Sequence, residues 1–144
     1  MIQCSKPFYY APRGGWELDH TRGEKPVIVI LNPQLVHQAF KRDPLGFSPV
    51  PARLDLVMKI PENGHFELPD VRDGSHQYVV FRQGRHRTTA LAMRGFTAYP
   101  VVTTDTDAQA LLKKFGAPLD EATRHFDLSN IPDYPVQALQ AEHF

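Results

Sequence analysis

Cysteine is almost missing from this chain: Cys4 stands alone, which excludes an intramolecular disulfide and a cysteine-based zinc cluster. With no activating neighbours in sequence it reads as an incidental thiol near the terminus. Net charge is missing too, since sixteen lysines and arginines face sixteen aspartates and glutamates. A wide nucleic-acid footprint asks for a more basic domain. No apolar run approaches the roughly 18 residues that span a bilayer, and the opening MIQCSKPFYYAPRGGW lacks the basic-then-apolar order of a signal peptide. No membrane insertion and a cytosolic location are expected. Also absent are the Gly-x-x-x-x-Gly-Lys-Ser/Thr loop, the dinucleotide fingerprint and a serine in a nucleophile elbow.

A length of 144 residues suits one domain. Within it a core over 26–115 is expected, preceded by an irregular aromatic arm (1–25) and followed by an acidic, proline-broken tail (116–144) lying along the surface. PVIVIL (26–31) is a continuous apolar run of the kind that forms a buried strand. Asn32 then caps a helix with Pro33 at its first position and Leu35, Val36, Ala39 and Phe40 on one face. Leu54, Val57 and Met58 recur at helical spacing, Phe66 and Leu68 alternate as in a strand, and Asp73-Gly74 marks a turn. QYVVF is a third strand, RTTALAMRG a short helix closed by Gly95, and YPVVT a fourth strand. DTDAQALLKKFG carries acids at its start and lysines at its end, as a helix dipole favours. This mixture predicts an α+β domain with a small mixed β-sheet and flanking helices.

Charge is distributed unevenly along this neutral chain. Residues 74–104 hold four arginines and no carboxylate, whereas residues 105–144 hold seven acids against three lysines and arginines. The basic segment centres on FRQGRHRTTAL, where a strand runs through Gly84 into a helix. Backbone amides at the positive end of a helix bind anions. Gly84 permits close approach of the backbone, Arg85 and Arg87 offer planar forks that match phosphate oxygens, and Thr88 and Thr89 offer hydroxyls. His86 can donate to a phosphate or exchange a proton near neutral pH. The same residues can also be read as solvated arginines with a capping histidine.

A phosphate-transfer reaction further needs a group to orient the nucleophile. Asp55, Glu62, Glu67, Asp70 and Asp73 are the carboxylates near the core; Asp55, on the helix bearing Leu54, Val57 and Met58, is the one that can point along the rim towards the site, with a solvated helix-surface residue as its alternative. His65, Glu67, Asp70, Asp73 and His76 collect in HFELPDVRDGSH, but their spacing matches no metal motif and no metal site is expected.

YVVFRQGRHRTTALAMRGFTAYPVV resembles the signature of the ParB/sulfiredoxin fold: a strand, a Gly-x-x-Arg turn, a helix with a small apolar face, a glycine, and a strand beginning near proline. The resemblance extends over Pro26 to Phe115 and is strongest from Tyr78 to Val102. Sulfiredoxins carry a nucleophilic cysteine where this chain has Arg85, so their chemistry is not expected. Chromosome-partition ParB proteins add a helix-turn-helix and a dimerisation tail, for which 144 residues are too few, so their role is not expected. The resemblance therefore points to the stand-alone members: ParB-like nucleases, a free-serine kinase, and plasmid-encoded fertility-inhibition factors of the Osa type. It implies ATP or CTP as ligand, with Mg2+, ATP hydrolysis or DNA cleavage, and inhibition of conjugative DNA transfer through a conjugation or secretion-system protein. On this reading Gly84 to Thr89 bind phosphate and Arg85, His86, Arg87 and Asp55 assist hydrolysis. A non-catalytic module that occupies a partner's surface, or a small-molecule kinase, are the alternatives.

Overall fold

The computed structural model describes residues 1–7, 24–42, 51 and 64–140. The chain is an α+β fold with two sheets. Its described elements are β1 (Ile2–Ser5), β2 (Pro26–Leu31), α1 (Pro33–Arg42), β3 (His65–Glu67), β4 (Asp70–Asp73), β5 (Val79–Gln83), α2 (Arg85–Met93), β6 (Tyr99–Thr104), α3 (Ala108–Phe115), α4 (Leu119–Thr123), β7 (Phe126–Asp127) and β8 (Val136–Gln137).

The larger sheet has the order β5-β4-β6-β2-β8. β2 and β6 pair antiparallel from Pro26↔Thr104 to Leu31↔Tyr99, and β4 joins β5 antiparallel and β6 parallel. All six residues of β6 are buried, as expected of a central strand covered on both faces. The β2 run Val27–Leu31 is likewise buried; each such aliphatic side chain contributes roughly 1.5–3 kcal/mol on leaving water. Asn32 caps α1 as the sequence predicts, its Oδ1 accepting the Gln34 amide at 2.9 Å. Val36 and Ala39 are buried, while Leu35 is exposed. Helix α1 packs on α2, and α3 packs on β2 and β4.

Two expectations are corrected. The first residues do not start an irregular arm: Ile2–Ser5 is the middle strand of a second, three-stranded parallel sheet, order β3-β1-β7. Ile2 and Cys4 point into the core because alternate residues of a strand share a face. Burial, helped by the Asp127 carboxylate, pushes the Cys4 thiol from 9.0 up to about 12. Nor does the tail merely lie along the surface. It supplies β7 to the small sheet and β8 to the large one, and it buries Phe126, Ile131 and Tyr134. The ring of Phe126 meets Phe66 at 5.3 Å and Phe96 at 5.8 Å, so both chain ends share one hydrophobic core.

A candidate phosphate site at the Gly84 turn

β5 ends at Gln83, and Gly84 turns the chain into α2 with φ 96° and ψ 14°, a left-handed conformation that favours glycine. The space beside its Cα is occupied. A Cβ at this position would lie 2.4 Å from Cβ of Pro69 and 2.7 Å from its Cα, so Pro69 of the β3–β4 connection rests directly on the glycine. The first rung of α2 is the Thr88 amide donating to the Gly84 carbonyl at 3.0 Å. The amides of residues 85–87 are therefore directed off the positive end of the helix.

The packing of Pro69 on Gly84 brings Glu67 to the turn. Its Oε2 accepts from Gln83 Nε2 at 2.7 Å and lies 3.7 Å from Nη1 of Arg87. Gln83 Nε2 also reaches the Leu68 carbonyl at 3.4 Å, which ties the β3–β4 connection to the end of β5. Both members of the ion pair are partly open to solvent, with side-chain exposures of 21% for Arg87 and 25% for Glu67. A carboxylate and a guanidinium thus stand together at the mouth of a helix N-terminus. The sequence offers Glu67 as one of five carboxylates near the core but singles out Asp55: the place of Glu67 in the chain gives no sign of the fold-back that delivers it.

The other expected residues divide. Arg85 is exposed and His86 half-buried at the first turn of α2, where the sequence puts them. Thr88 and Thr89 are corrected as hydroxyl donors. Both are buried, and the Thr88 hydroxyl is bonded to the phenol of Tyr99 at 2.8 Å inside the core. Burial pushes the pKa of that phenol up, with the Thr88 bond and the nearby Arg87 charge partly opposing the effect. Arg94 sits beyond the far end of α2, stacked over Phe96 at 5.3 Å, about 13 Å along the helix from the turn. Asp55 lies outside the described residues.

The acidic cluster seen in sequence does not converge. Asp70, fully buried, is clasped by Arg72 through Nε at 3.0 Å and Nη2 at 3.4 Å. Asp73 accepts from Lys114 at 2.6 Å, and His76 is exposed in the β4–β5 hairpin with φ 58°. Among the described residues no group of three or more histidine, cysteine, aspartate or glutamate side chains could hold a metal, and no helix is long and apolar enough to cross a membrane. A hollow of about 610 Å³ lies elsewhere, lined by Leu119, Asp120, Thr123, Val136, Ala138, Leu139 and Gln140. Its lining includes a carboxylate but no cation, the wrong sign for phosphate. Compared with protein-family models, with curated proteins and with solved structures, the chain matches none.

Proposed function

We propose that the chain is a ParB/sulfiredoxin-like protein that binds the phosphates of a nucleoside triphosphate, ATP or CTP, at the Gly84–Arg87 turn and hydrolyses it. The observation that carries this reading is the left-handed Gly84 at the start of α2, with Arg87 and Glu67 3.7 Å apart beside it. The amides of residues 85–87 and the arginine forks supply donors for the phosphate oxygens; an ionic hydrogen bond of this kind contributes about 1.5–3 kcal/mol. Arg87 neutralises charge developing on the transferred group. Glu67, held at one oxygen by Gln83, orients the attacking water, and His86 returns a proton to the leaving phosphate. Mg2+ would enter as part of the nucleotide, since Mg2+ is commonly held by substrate phosphates. The cellular role suggested by the resemblance is plasmid-linked inhibition of DNA transfer.

Calorimetric titration with ATP, CTP and a short DNA duplex, each with Mg2+, tests this, together with phosphate release. Binding of a triphosphate that is lost in Arg87→Ala, with slow phosphate release in the parent, is expected. Binding undiminished in Arg87→Ala would remove the turn from consideration.

The alternative, a non-catalytic module that occupies a protein partner, draws on the exposed Leu119, Val136 and Leu139 around the hollow beside α4. It expects no phosphate release and full function in Arg87→Ala.

A further inference from the structure

Ser5 and His65 face each other on the outer side of the small sheet, the serine Oγ 2.8 Å from the ring Nε2. Their chain neighbours Cys4 and Phe66 are fully buried, so strand alternation turns both polar residues outward. Ser5 also stands directly beside Glu67 in the parallel β1–β3 ladder, where adjacent strands run about 4.8 Å apart. The Leu68 amide donates to the Ser5 carbonyl at 2.9 Å. The next residue, Pro69, is the one that rests on Gly84. Ser5, His65, Glu67, Gln83 and Arg87 therefore form one connected polar face, with the phosphate turn at one end and a serine–histidine pair at the other.

We infer that Ser5 is a phosphoryl acceptor activated by His65, so that the protein modifies itself; this rests on the proposed binding of a nucleoside triphosphate at the turn. In the Nδ1–H tautomer, Nε2 of His65 accepts the Ser5 hydroxyl proton, the arrangement that activates a serine nucleophile. In the step, Ser5 Oγ attacks the terminal phosphorus. The Oγ–P bond forms as the bond from that phosphorus to the bridging oxygen breaks. The nucleoside diphosphate leaves with the bond pair, and the serine proton passes to His65. Among the described residues no carboxylate is hydrogen-bonded to the other ring nitrogen, so the pair lacks the orienting third member of a turnover catalyst. That deficiency suits a slow, single event on the protein itself. The product places roughly two negative charges next to Glu67, where they compete with nucleotide for Arg87.

The test is incubation of the full chain with Mg-ATP and, separately, with Mg-CTP, intact mass measurement and fragmentation, alongside calorimetry on the same preparation. One added phosphoryl group on Ser5 is expected. It should be absent in Ser5→Ala and slowed about a hundredfold in His65→Gln, which keeps a hydrogen-bond partner but no base. Circular dichroism confirms that each variant is folded. Binding of ATP or CTP with Ser5 left unmodified by both overturns the inference while leaving the turn reading intact. If neither ATP nor CTP binds, the turn reading fails by itself, and a fluorophosphonate probe decides whether His65 activates Ser5. Labelling of Ser5 that needs His65 upholds activation of the serine by that histidine; an unlabelled Ser5 overturns the inference.

Discussion

Glu67 and Arg87 form an ion pair with Oε2 3.7 Å from Nη1, and the same oxygen accepts a hydrogen bond from Gln83 Nε2 at 2.7 Å. Glu67 therefore holds two side chains that flank Gly84. If its carboxylate orients water, Glu67→Gln lowers phosphate release by about a hundredfold or more with little loss of triphosphate affinity. Arg87→Ala instead lowers affinity. Parallel measurement of turnover and binding separates the two roles, and equal effects on both quantities in Glu67→Gln would reduce that residue to a scaffold.

Gly84 carries two constraints, its positive φ and its contact with Pro69, whereas Gly95 has a φ of 83° and open space around it, with no atom within 4 Å of where a Cβ would lie. Gly84→Ala should lose roughly 2–5 kcal/mol of stability from the left-handed conformation and the overlap together. Gly95→Ala should lose only about 1 kcal/mol. Urea unfolding of the two variants checks the contrast.

The hydroxyls of Thr88 and Tyr99 share a hydrogen bond in the core, 2.8 Å long. Tyr99→Phe leaves the Thr88 oxygen buried with no partner and should cost about 1–3 kcal/mol. Adding Thr88→Val replaces both polar groups by apolar ones and should recover much of the loss. A double-mutant cycle by thermal or urea unfolding measures it.

Alkaline pH should weaken the fold. Cys4 is raised from 9.0 to about 12 and Tyr99 is raised above 10.0, both chiefly through burial. A raised value means that the unfolded chain gives up these protons first, so stability is fully present below about pH 9 and falls as pH climbs toward 12. Unfolding free energy measured from about pH 7 to 10.5 should decline, and Cys4→Ala should flatten the first part of that decline. In native protein near pH 8, a thiol reagent should modify Cys4 only as fast as the chain opens.

Local chemistry is legible in the sequence. The apolar run of β2, the Asn32 cap, the glycine on either side of α2 and the charge order of α3 each act over a few residues, and each corresponds to an observed element. β1, β7 and β8 are not legible. They are two to four residues long and become strands only because the chain ends pair with each other and with the core, as Ile2 does with Phe126. The burial of the α2 hydroxyls is hidden for a related reason. Thr88, Thr89, Ala90 and Leu91 are consecutive and all buried; at about 100° per residue they span most of the helix circumference. A helix enclosed on so many sides shows no amphipathic stripe to mark which hydroxyls face solvent. Glu67 is hidden because its partnership with Arg87 depends on Pro69 settling against Gly84.

Everything proposed for the turn depends on phosphate binding at the start of α2. An amide NMR titration with Mg-ATP, and with Mg-CTP in parallel, on the parent chain and on Arg87→Ala examines that binding residue by residue. Saturable shifts concentrated at Gly84, Arg85, His86 and Arg87, with a response at Glu67, are expected, all of them lost in the variant. Shifts centred on Val136 and Leu139, or shifts at the turn that persist unchanged in Arg87→Ala, would rule out a phosphate site there.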